Sequence, residues 1–248
     1  MSKTVLITGG SRGIGAATAL MAASQGYAVA VNFASNSLAA DEVVRQIRAG
    51  GGQAIAVQAD VASEREVTAM FEKIDARFGR LTALVNNAGV VDYTARVDAM
   101  TLERLQRMFA INVFGSFLCA RQAVLRMSSR YGGAGGSIVN VSSAASRLGS
   151  PGQYVDYAAA KGAIDSFTLG LAKEVASEGI RVNAVRPGII ETEIHASGGL
   201  PDRAREVAPM VPMQRPGTAA EVAEAIMWLL SGQSSYATGA LLDIAGGR

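Results

Sequence analysis

Short apolar runs alternate with longer helical segments along almost the whole 248-residue chain. The first run, residues 3–8, is rich in β-branched side chains, and an Ala- and Leu-rich segment at residues 14–25 follows it. Strands that alternate with helices in this way form βαβ units and pair in parallel. The runs are apolar throughout rather than alternately polar, which is typical of strands covered by helices on both faces. The sequence therefore predicts an α/β fold with one doubly wound parallel sheet, in a single domain spanning residues 1–248.

The same alternation predicts the other elements of the chain. Further strands are expected at residues 28–33, 53–58, 81–85, 137–141, 180–185 and 240–244. Helices are expected at residues 36–49, 63–78, 101–127, 152–177 and 221–230, and Ser63 with Glu66 resembles a capping box at the start of the third helix. The least regular segment, residues 191–217, contains four prolines and is predicted to be a substrate lid with a short helix inside it.

The charge balance argues against nucleic acid or a membrane surface as a partner. Lys and Arg number 23 and Asp and Glu number 21, which gives a net charge of +2 with no basic or acidic run. The apolar run near the N-terminus is too short for a signal peptide. No stretch is expected to approach the ~20 apolar residues that span a bilayer. We therefore expect a cytoplasmic protein.

The chain has one cysteine, Cys119, and one histidine, His195. These numbers exclude an internal disulfide and a site built from several histidines, so no metal site is expected. Cys119 lies in an apolar helical run and is expected in the core. His195 is interpreted as a lid residue rather than a catalytic one, and Trp228 as a core or interface residue.

A glycine-rich turn joins the first predicted strand to the first helix. Its spacing is Gly9-x3-Gly13-x-Gly15, and Ser11 and Ile14 belong to the same turn. Glycine lets the backbone turn tightly and approach a pyrophosphate, while the helix N-terminus offers free N–H groups and a positive dipole end. In the first βα turn of such a sheet, this pattern favours a dinucleotide site over a plain glycine-rich turn.

The end of the second predicted strand bears on the choice of nucleotide. NAD sites usually carry an acidic residue about 20 positions after the glycine turn, to hold the ribose 2′-hydroxyl. Residues 29–36 contain no Asp or Glu, and Arg12 stands in the glycine turn. We therefore expect NADP, with NAD less favoured and with Asn32, Ser35 and Asn36 as possible hydrogen-bonding groups. The alternative is that Arg12 is only a solvated surface residue.

From Thr8 to the terminal Gly246-Gly247, the chain resembles the short-chain dehydrogenase/reductase family in its single-domain form. The resemblance is closest to the members called glucose dehydrogenase-like or 3-oxoacyl-carrier-protein-reductase-like. It implies a Rossmann-type domain that transfers a hydride between a nicotinamide and a small carbonyl or alcohol substrate. The motifs that carry it are Thr8-Gly9-x3-Gly13-x-Gly15, Asp60-Val61, Asn86-Asn87-Ala88-Gly89, Asn112, Ser143, Tyr157-x3-Lys161 and Pro187-Gly188.

Tyr157 and Lys161 lie at i and i+4 of one predicted helix, on the same face. A free tyrosine has a pKa of about 10, and a neighbouring ammonium group lowers that pKa. The pair is therefore a plausible acid/base device, and the resemblance assigns that role to Tyr157 and a nicotinamide-ribose contact to Lys161. Ser143 is expected to hold the substrate oxygen, with Ser142 as the alternative. The resemblance gives Asn112 the role of kinking its helix and holding a water near the lysine.

The resemblance also implies the remaining cofactor contacts. Asn86 would contact the adenosine ribose, although it could instead stabilise the central sheet. Small residues at Ala88 and Gly89 would let the cofactor lie close to the backbone. Asp60 would accept a hydrogen bond from the adenine amino group, with Val61 packed on the ring. The segment expected to grip the carboxamide contributes Pro187, Gly188, Ile190 and Thr192.

Two other functions stay open at this point. One is an NAD-linked alcohol or sugar dehydrogenase, and the other is a cofactor-binding regulator without turnover. A regulator has no need of Ser143, Tyr157 and Lys161 together, which favours an enzyme. The resemblance and the small, apolar faces at residues 158–172 and 236–244 also predict a homo-oligomer, in particular a homotetramer.

Overall fold

The computed structural model describes residues 3–193, 198–200 and 202–248. The strands are β1 (Lys3–Ile7), β2 (Tyr27–Phe33), β3 (Ala54–Gln58), β4 (Ala83–Asn86), β5 (Gly136–Val141), β6 (Ile180–Pro187), β7 (Ile190–Glu191), β8 (Gly217–Thr218) and β9 (Leu241–Ile244). The helices are α1 (Gly13–Ser24), α2 (Ser37–Ala49), α3 (Glu64–Phe78), α4 (Leu102–Phe109), α5 (Gly115–Met127), α6 (Ala145–Leu148), α7 (Val155–Val175), α8 (Arg203–Glu206) and α9 (Ala219–Leu230).

Seven strands pair in parallel in the order β3-β2-β1-β4-β5-β6-β9. The chain builds outward from β1 in one direction and then returns to start again on the other side with β4. This reversal creates a crevice at the carboxyl ends of the strands. The predicted α/β fold of the doubly wound, Rossmann type is therefore confirmed.

Both faces of the sheet are covered by helices, and the apolar strands feed both cores. Val5 and Ile7 pack with α1, α2 and α9, whereas Leu6 between them packs with α3, α5 and α7. Side chains alternate between faces along a strand, so a strand with a core on each side has to be apolar throughout.

Two predicted elements differ in detail from the structure. The helix expected at residues 101–127 is interrupted by a π-helical segment, Ala110–Phe114, which separates α4 from α5. At the start of α3, Ser63 accepts a hydrogen bond from the Glu66 N–H, but the Glu66 carboxylate accepts from the N–H of Asp60. The predicted capping box is therefore only half formed, because Glu66 ties α3 to the end of β3 instead.

The continuous helical stretch at residues 102–127 is long and apolar enough to cross a membrane, contrary to the sequence expectation. Half of its most apolar window is buried inside the protein. Because a core helix passes the same test of length and composition, this stretch is weak evidence for a membrane span.

A buried ion pair fixes the start of α7 against α4. Arg104 donates from Nε to Oδ2 of Asp156 at 2.7 Å and from Nη2 to Oδ1 at 3.2 Å. The Asp156 side chain is 0% exposed and that of Arg104 is 10% exposed. A third donor of Arg104 reaches the carbonyl oxygen of Tyr93 at 2.6 Å. These contacts anchor the first turn of α7, which carries the candidate acid/base tyrosine.

We expect Arg104→Met to lower the free energy of unfolding by about 3–5 kcal/mol, because it leaves the Asp156 carboxylate buried without a partner. Urea unfolding followed by circular dichroism measures the change. Arg96→Met is the matched control, since Arg96 pairs with Asp98 in a position where both side chains are well exposed. Equal effects of the two substitutions would show that the buried pair does not anchor α7.

Candidate functional site

A cavity of about 390 Å³ lies along the carboxyl ends of the parallel strands. Doubly wound sheets bind their ligands at this edge, and most of the predicted site residues meet there. Those that line the cavity are Gly9, Ser11, Arg12, Gly13, Ile14, Asn32, Ser35, Asp60, Val61, Ala88, Gly89, Ser143, Tyr157, Lys161, Pro187, Gly188, Ile190 and Thr192. The predicted residues that do not line it are Gly15, Asn86 and Asn112.

The glycine turn has the backbone shape that its sequence requires. Gly9 and Gly13 adopt φ angles of +58° and +52°, in the left-handed region that favours glycine. Arg12 occupies the N-cap position of α1, and no side chain there caps the helix by a hydrogen bond. The first N–H groups of α1, at the positive end of its dipole, therefore suit an anionic group such as a pyrophosphate.

Gly15 has a structural role in the glycine turn, and its predicted cofactor contact stays a prediction. It is buried in the first turn of α1, where a Cβ atom would lie 2.4 Å from the carbonyl oxygen of Gly9 and 2.6 Å from Nδ2 of Asn87. No side chain fits in that space. Gly15 therefore allows α1 to pack directly on the glycine turn.

Asn32 lines the cavity, but its carboxamide is engaged within the protein. Its Oδ1 accepts from the N–H of Gly9 at 3.2 Å, and its Nδ2 donates to the carbonyl oxygens of Val57 at 3.3 Å and Ala59 at 3.0 Å. These bonds fix the glycine turn to the ends of β2 and β3. The hydrogen bond expected from Asn32 to the nucleotide stays a prediction.

Asn86 was predicted to contact the adenosine ribose or to stabilise the central sheet, and its side chain bonds β5 and the carbonyl oxygen of Ser116 on α5. The ribose contact stays a prediction. The Nδ2 of Asn86 donates to Oδ1 of Asn140 at 2.9 Å, and its side chain is away from the cavity. The next residue, Asn87, lines the cavity and donates to two carbonyl oxygens at the end of β1, at 2.9 and 3.0 Å. Successive side chains of a strand point to opposite sides, but the sequence does not give the register, so it does not distinguish Asn87 from Asn86.

Three side chains meet where β5 ends against the N-terminal half of α7. The Ser143 side chain lies close enough to the Tyr157 phenol to lower its pKa. One turn further along α7, Nζ of Lys161 donates to the carbonyl oxygen of Val141 at 2.8 Å and lies 5.5 Å from the centre of the Tyr157 ring. The predicted serine, tyrosine and lysine therefore face one region of the cavity wall.

Burial sets the protonation of this group. Burial raises the pKa of Tyr157 to about 12, and the nearby Ser143 side chain only partly opposes it. The pKa was expected to be lowered by Lys161, and this expectation is wrong, because desolvation of the phenolate dominates. Burial also lowers the pKa of Lys161 to about 8, against the opposing charge of Asp165. At neutral pH the site therefore holds a neutral phenol beside a protonated lysine.

The two candidate serines have different environments. Ser142 is buried, and its hydroxyl donates to the carbonyl oxygen of Lys161 at 3.2 Å. Ser143 accepts from the N–H of Ala145 at 3.1 Å and reaches Tyr157. The hydroxyl of Ser142 holds the backbone of α7, which leaves Ser143 as the hydroxyl placed beside the phenol.

Asn112 lies in the π-helical segment and behind the cavity wall. Its Nδ2 donates to the carbonyl oxygens of Met108 and Val90, each at 3.0 Å, and its Oδ1 accepts from the N–H of Val90 at 3.2 Å. Met108 is four residues before Asn112. In a regular helix its carbonyl oxygen would accept a bond from the backbone N–H of residue 112, and here it accepts one from the Asn112 side chain. Asn112 therefore joins the irregular turn to the segment after β4. A Cβ at Gly89 would lie 2.8 Å from Asn112 Oδ1, so glycine is required there.

The remaining predicted contacts lie at the two ends of the cavity. Asp60 is exposed, and its Oδ1 accepts from the N–H of Ala62 at 2.9 Å, which shapes the turn before α3. At the other end, Gly188 packs so closely that a Cβ would lie 2.8 Å from Cα of Ala245. The methyl group of Thr192 lies beside Gly13, since a Cβ on that glycine would be 3.3 Å from it.

The cavity also contains side chains that the sequence analysis did not single out. Tyr154 and Arg203 line it, from the N-cap of α7 and from α8 in the predicted lid. Arg203 lies in the predicted substrate lid, but no motif marks either residue. His195, which was predicted to be a lid residue, lies outside the described residues.

Three other sequence expectations concern residues outside the cavity. Cys119 is fully buried in the core as predicted, and burial raises the pKa of its thiol to about 12. Trp228 was predicted to lie in the core or in an interface. It is 42% exposed, so the core prediction is wrong. Within the described ranges, no group of three or more His, Cys, Asp or Glu side chains is placed to hold a metal ion.

Comparison with known proteins identifies the family. A family model described as Enoyl-(Acyl carrier protein) reductase matches residues 9–248. An Escherichia coli K12 protein called uncharacterized oxidoreductase YgfF is 58% identical over 243 residues, 98% of each chain. A 3-oxoacyl-acyl-carrier-protein reductase of Synechocystis is 41% identical over 247 residues, 99% of this chain and 96% of the relative. The chain belongs to the short-chain dehydrogenase/reductase family.

A solved structure supports the same assignment for the fold of this short-chain dehydrogenase/reductase. A mutant of the Serratia marcescens short-chain dehydrogenase/reductase superposes with a TM-score of 0.90 at 33% sequence identity. The match covers 99% of this chain and 97% of that one. The family resemblance drawn from the motifs is confirmed, and with it an oxidoreductase fold.

The lowered pKa of Lys161 predicts how stability depends on pH. Below pH 8 the folded protein carries a buried ammonium, whereas between pH 8 and the ordinary value of 10.5 the folded state loses this proton and the unfolded state keeps it. The free energy of unfolding should therefore rise with pH, relative to that of Lys161→Met, by about 3 kcal/mol over this interval. Chemical unfolding at a series of pH values, without added nucleotide, measures the difference. Lys173→Met, at an exposed position of α7, is the control. The stability difference between the wild-type protein and this variant should not rise in the same way.

Proposed function

We propose that this short-chain dehydrogenase/reductase is an NADP(H)-dependent enzyme that reduces a carbonyl group, with Tyr157 as the acid/base residue. The observation that carries the proposal is the meeting of Ser143, Tyr157 and Lys161 in the cavity that also contains the glycine turn. Because the phenol is neutral at pH 7, it is prepared to donate a proton. This direction corresponds to reduction of a carbonyl rather than oxidation of an alcohol.

In this mechanism the chain positions the substrate oxygen and supplies its proton. The Ser143 hydroxyl, which lines the cavity beside the phenol, would donate to the carbonyl oxygen and hold it beside Tyr157. As negative charge develops on that oxygen, the Tyr157 O–H bond breaks and its proton passes to the oxygen. The Lys161 ammonium, 5.5 Å from the Tyr157 ring centre, stabilises the phenolate that remains.

A nicotinamide, when bound, supplies the hydride that adds to the carbonyl carbon. The positive-φ glycines and the uncapped N-terminus of α1 fit its pyrophosphate, and Lys161 would bond the nicotinamide ribose. Asp60 and Val61 would contact the adenine, and Ala88 and Gly89 leave the backbone close to the cofactor. The carboxamide would be held by the segment that contributes Pro187, Gly188, Ile190 and Thr192.

The preference for NADP is supported by charge at the ribose end of the cavity. Arg12, Ser11 and Ser35 line this end, and Arg12 makes no ion pair with any described residue. Residues 32–36 contain no carboxylate that would repel a 2′-phosphate. Relatives named 3-oxoacyl-acyl-carrier-protein reductase and Glucose 1-dehydrogenase 2 support carbonyl–alcohol chemistry, without fixing the substrate.

We expect Tyr157→Phe to lower kcat by roughly 10²–10⁴-fold, because it removes the proton donor while keeping the ring. Affinity for NADPH should change little, since Lys161 and the glycine turn are intact. Oxidation of NADPH with a panel of ketones, aldehydes and β-ketoacyl thioesters gives the rates, and nucleotide fluorescence gives the affinity. Tyr131→Phe, at an exposed position, is the control. Near-normal turnover by Tyr157→Phe would mean that another group supplies the proton.

We expect Arg12→Ala to weaken NADPH binding roughly ten- to a hundred-fold, the effect of losing one charge-assisted contact, and to leave NADH binding almost unchanged. Fluorescence titration with both nucleotides measures the two Kd values. Arg65→Ala, exposed on α3, should change neither. Equal losses for both nucleotides in Arg12→Ala would show that Arg12 does not bind a 2′-phosphate.

We also propose that the protein is a homotetramer. Large apolar side chains are exposed on α5, α9 and the chain before β9, including Phe117, Trp228 and Tyr236, and burial between copies would remove them from water. Light scattering at micromolar concentration should give about four times the 25.6 kDa chain mass. A mass of one chain would contradict the assembly.

A cytoplasmic location without a nucleic-acid or membrane partner is likewise our proposal. It is supported by the net charge of +2, the absence of charge runs in the sequence and the single buried cysteine. Recovery of the protein in a membrane or periplasmic fraction of its cells would contradict it.

A further inference from the structure

Among the described residues of the predicted lid, only Arg203 places a positive charge in the cavity wall, where it lies against Tyr154. It is half-buried at the start of α8 and lines the cavity together with Ser143 and Tyr157. The reduction mechanism uses neither Arg203 nor Tyr154.

Two contacts hold the guanidinium of Arg203 in place. Its Nη2 donates to Oε1 of Gln153 at 2.5 Å, and its Cζ lies 5.2 Å from the centre of the Tyr154 ring. Tyr154 is itself only 7% exposed. A cation over an aromatic ring is attracted to the ring face, and this contact leaves the edge of the guanidinium for other partners.

The guanidinium is anchored without being neutralised. No Asp or Glu within the described ranges forms an ion pair with Arg203. Two acidic residues line the same cavity, and both belong to other parts of it. Asp60 lies before α3, and the Glu193 carboxylate lies near Gly13 in the glycine turn. A half-buried cation with no counter-ion is costly, and an anionic ligand would remove that cost.

Arg203 also stands at a defined place relative to the reacting groups. Tyr154 is the N-cap of α7 and precedes Tyr157 by three residues, and both side chains line the cavity together with Arg203. The Lys161 charge is already engaged by the carbonyl oxygen of Val141 and faces Asp165. A negative group on a substrate whose carbonyl lies beside Tyr157 would therefore meet Arg203.

We propose that the substrate carries an anionic group, a carboxylate or a phosphate, which binds the guanidinium of Arg203 while the carbonyl lies between Ser143 and Tyr157. The planar guanidinium binds such groups through two parallel N–H donors. A neutral substrate would leave the charge without a partner, so Arg203 determines specificity. This inference rests on the proposed reductase activity for the position of the carbonyl.

The test compares matched anionic and neutral carbonyl compounds with NADPH as reductant. The pairs are 3-oxobutanoate with its methyl ester, and dihydroxyacetone phosphate with dihydroxyacetone. We expect kcat/KM to favour the anionic member of at least one pair by roughly tenfold or more, and the pair that shows it identifies the anion. Arg203→Met should reduce this preference by a similar factor, mainly through KM. Arg205→Met is the matched control on α8, because Arg205 is exposed and pairs with Glu191, and it should leave the preference unchanged.

A binding measurement separates this inference from the proposed activity. Calorimetry with the same four compounds and NADP⁺-loaded protein should show anion binding that Arg203→Met weakens roughly tenfold or more. If this binding pattern is found but neither these compounds nor the panel of ketones, aldehydes and β-ketoacyl thioesters is turned over, the anion site stands and the reductase proposal fails. The inference is overturned if wild-type protein has no preference for an anion in either measurement. It is also overturned if Arg203→Met lowers kcat/KM equally for both members of a pair, because Arg203 would then only hold the lid against Tyr154.

Discussion

The hydrogen bond from Nζ of Lys161 to the carbonyl oxygen of Val141 joins the N-terminal half of α7 to the end of β5. This bond holds the carboxyl end of β5 against the helix that carries Tyr157. The hydroxyl of Ser142 adds a second bond, to the carbonyl oxygen of Lys161. The lysine is buried, so its charge is expensive, and its pKa falls as a result. The buried ammonium of Lys161 lies where the Tyr157 phenol and the Ser143 hydroxyl line the cavity. We infer that the cost is tolerated because the ammonium is needed there for chemistry.

The fold could be predicted from the sequence because its main cause is local. The alternation of apolar runs with helices requires a parallel sheet, and the uniform apolarity of β1 follows from its two cores, with Leu6 on one side and Val5 and Ile7 on the other. Details that depend on distant partners could not be predicted. The π-helical turn of Asn112 depends on its bonds with Val90, and Glu66 turns from its own helix cap to the N–H of Asp60.

The site was predictable where a residue type and its spacing carry the chemistry, as for Gly9, Gly13, Tyr157 and Lys161. It was not predictable where only the direction of a side chain decides, because sequence does not give the register at a strand end. Asn86 points into the sheet and Asn87 to the cavity, although either could have been chosen. Arg203 belongs to no motif, and its importance comes from a neighbour 50 residues earlier in the chain. The direction of the Tyr157 pKa shift could not be predicted either, because it depends on how deeply the phenol is buried in the folded protein.

The central claim is that the site holds Tyr157 as a neutral phenol, prepared to give its proton to a substrate oxygen. An ultraviolet titration of wild-type protein against Tyr157→Phe, without added nucleotide, tests this most directly, because only the phenolate absorbs strongly at long wavelength. Burial raises the pKa of Tyr157 to about 12, so the difference between the two proteins should show no phenolate from neutral pH up to the ordinary tyrosine range near ~10. A phenolate signal specific to the wild-type protein near neutral pH would contradict the account, since Tyr157 would then be a base at rest.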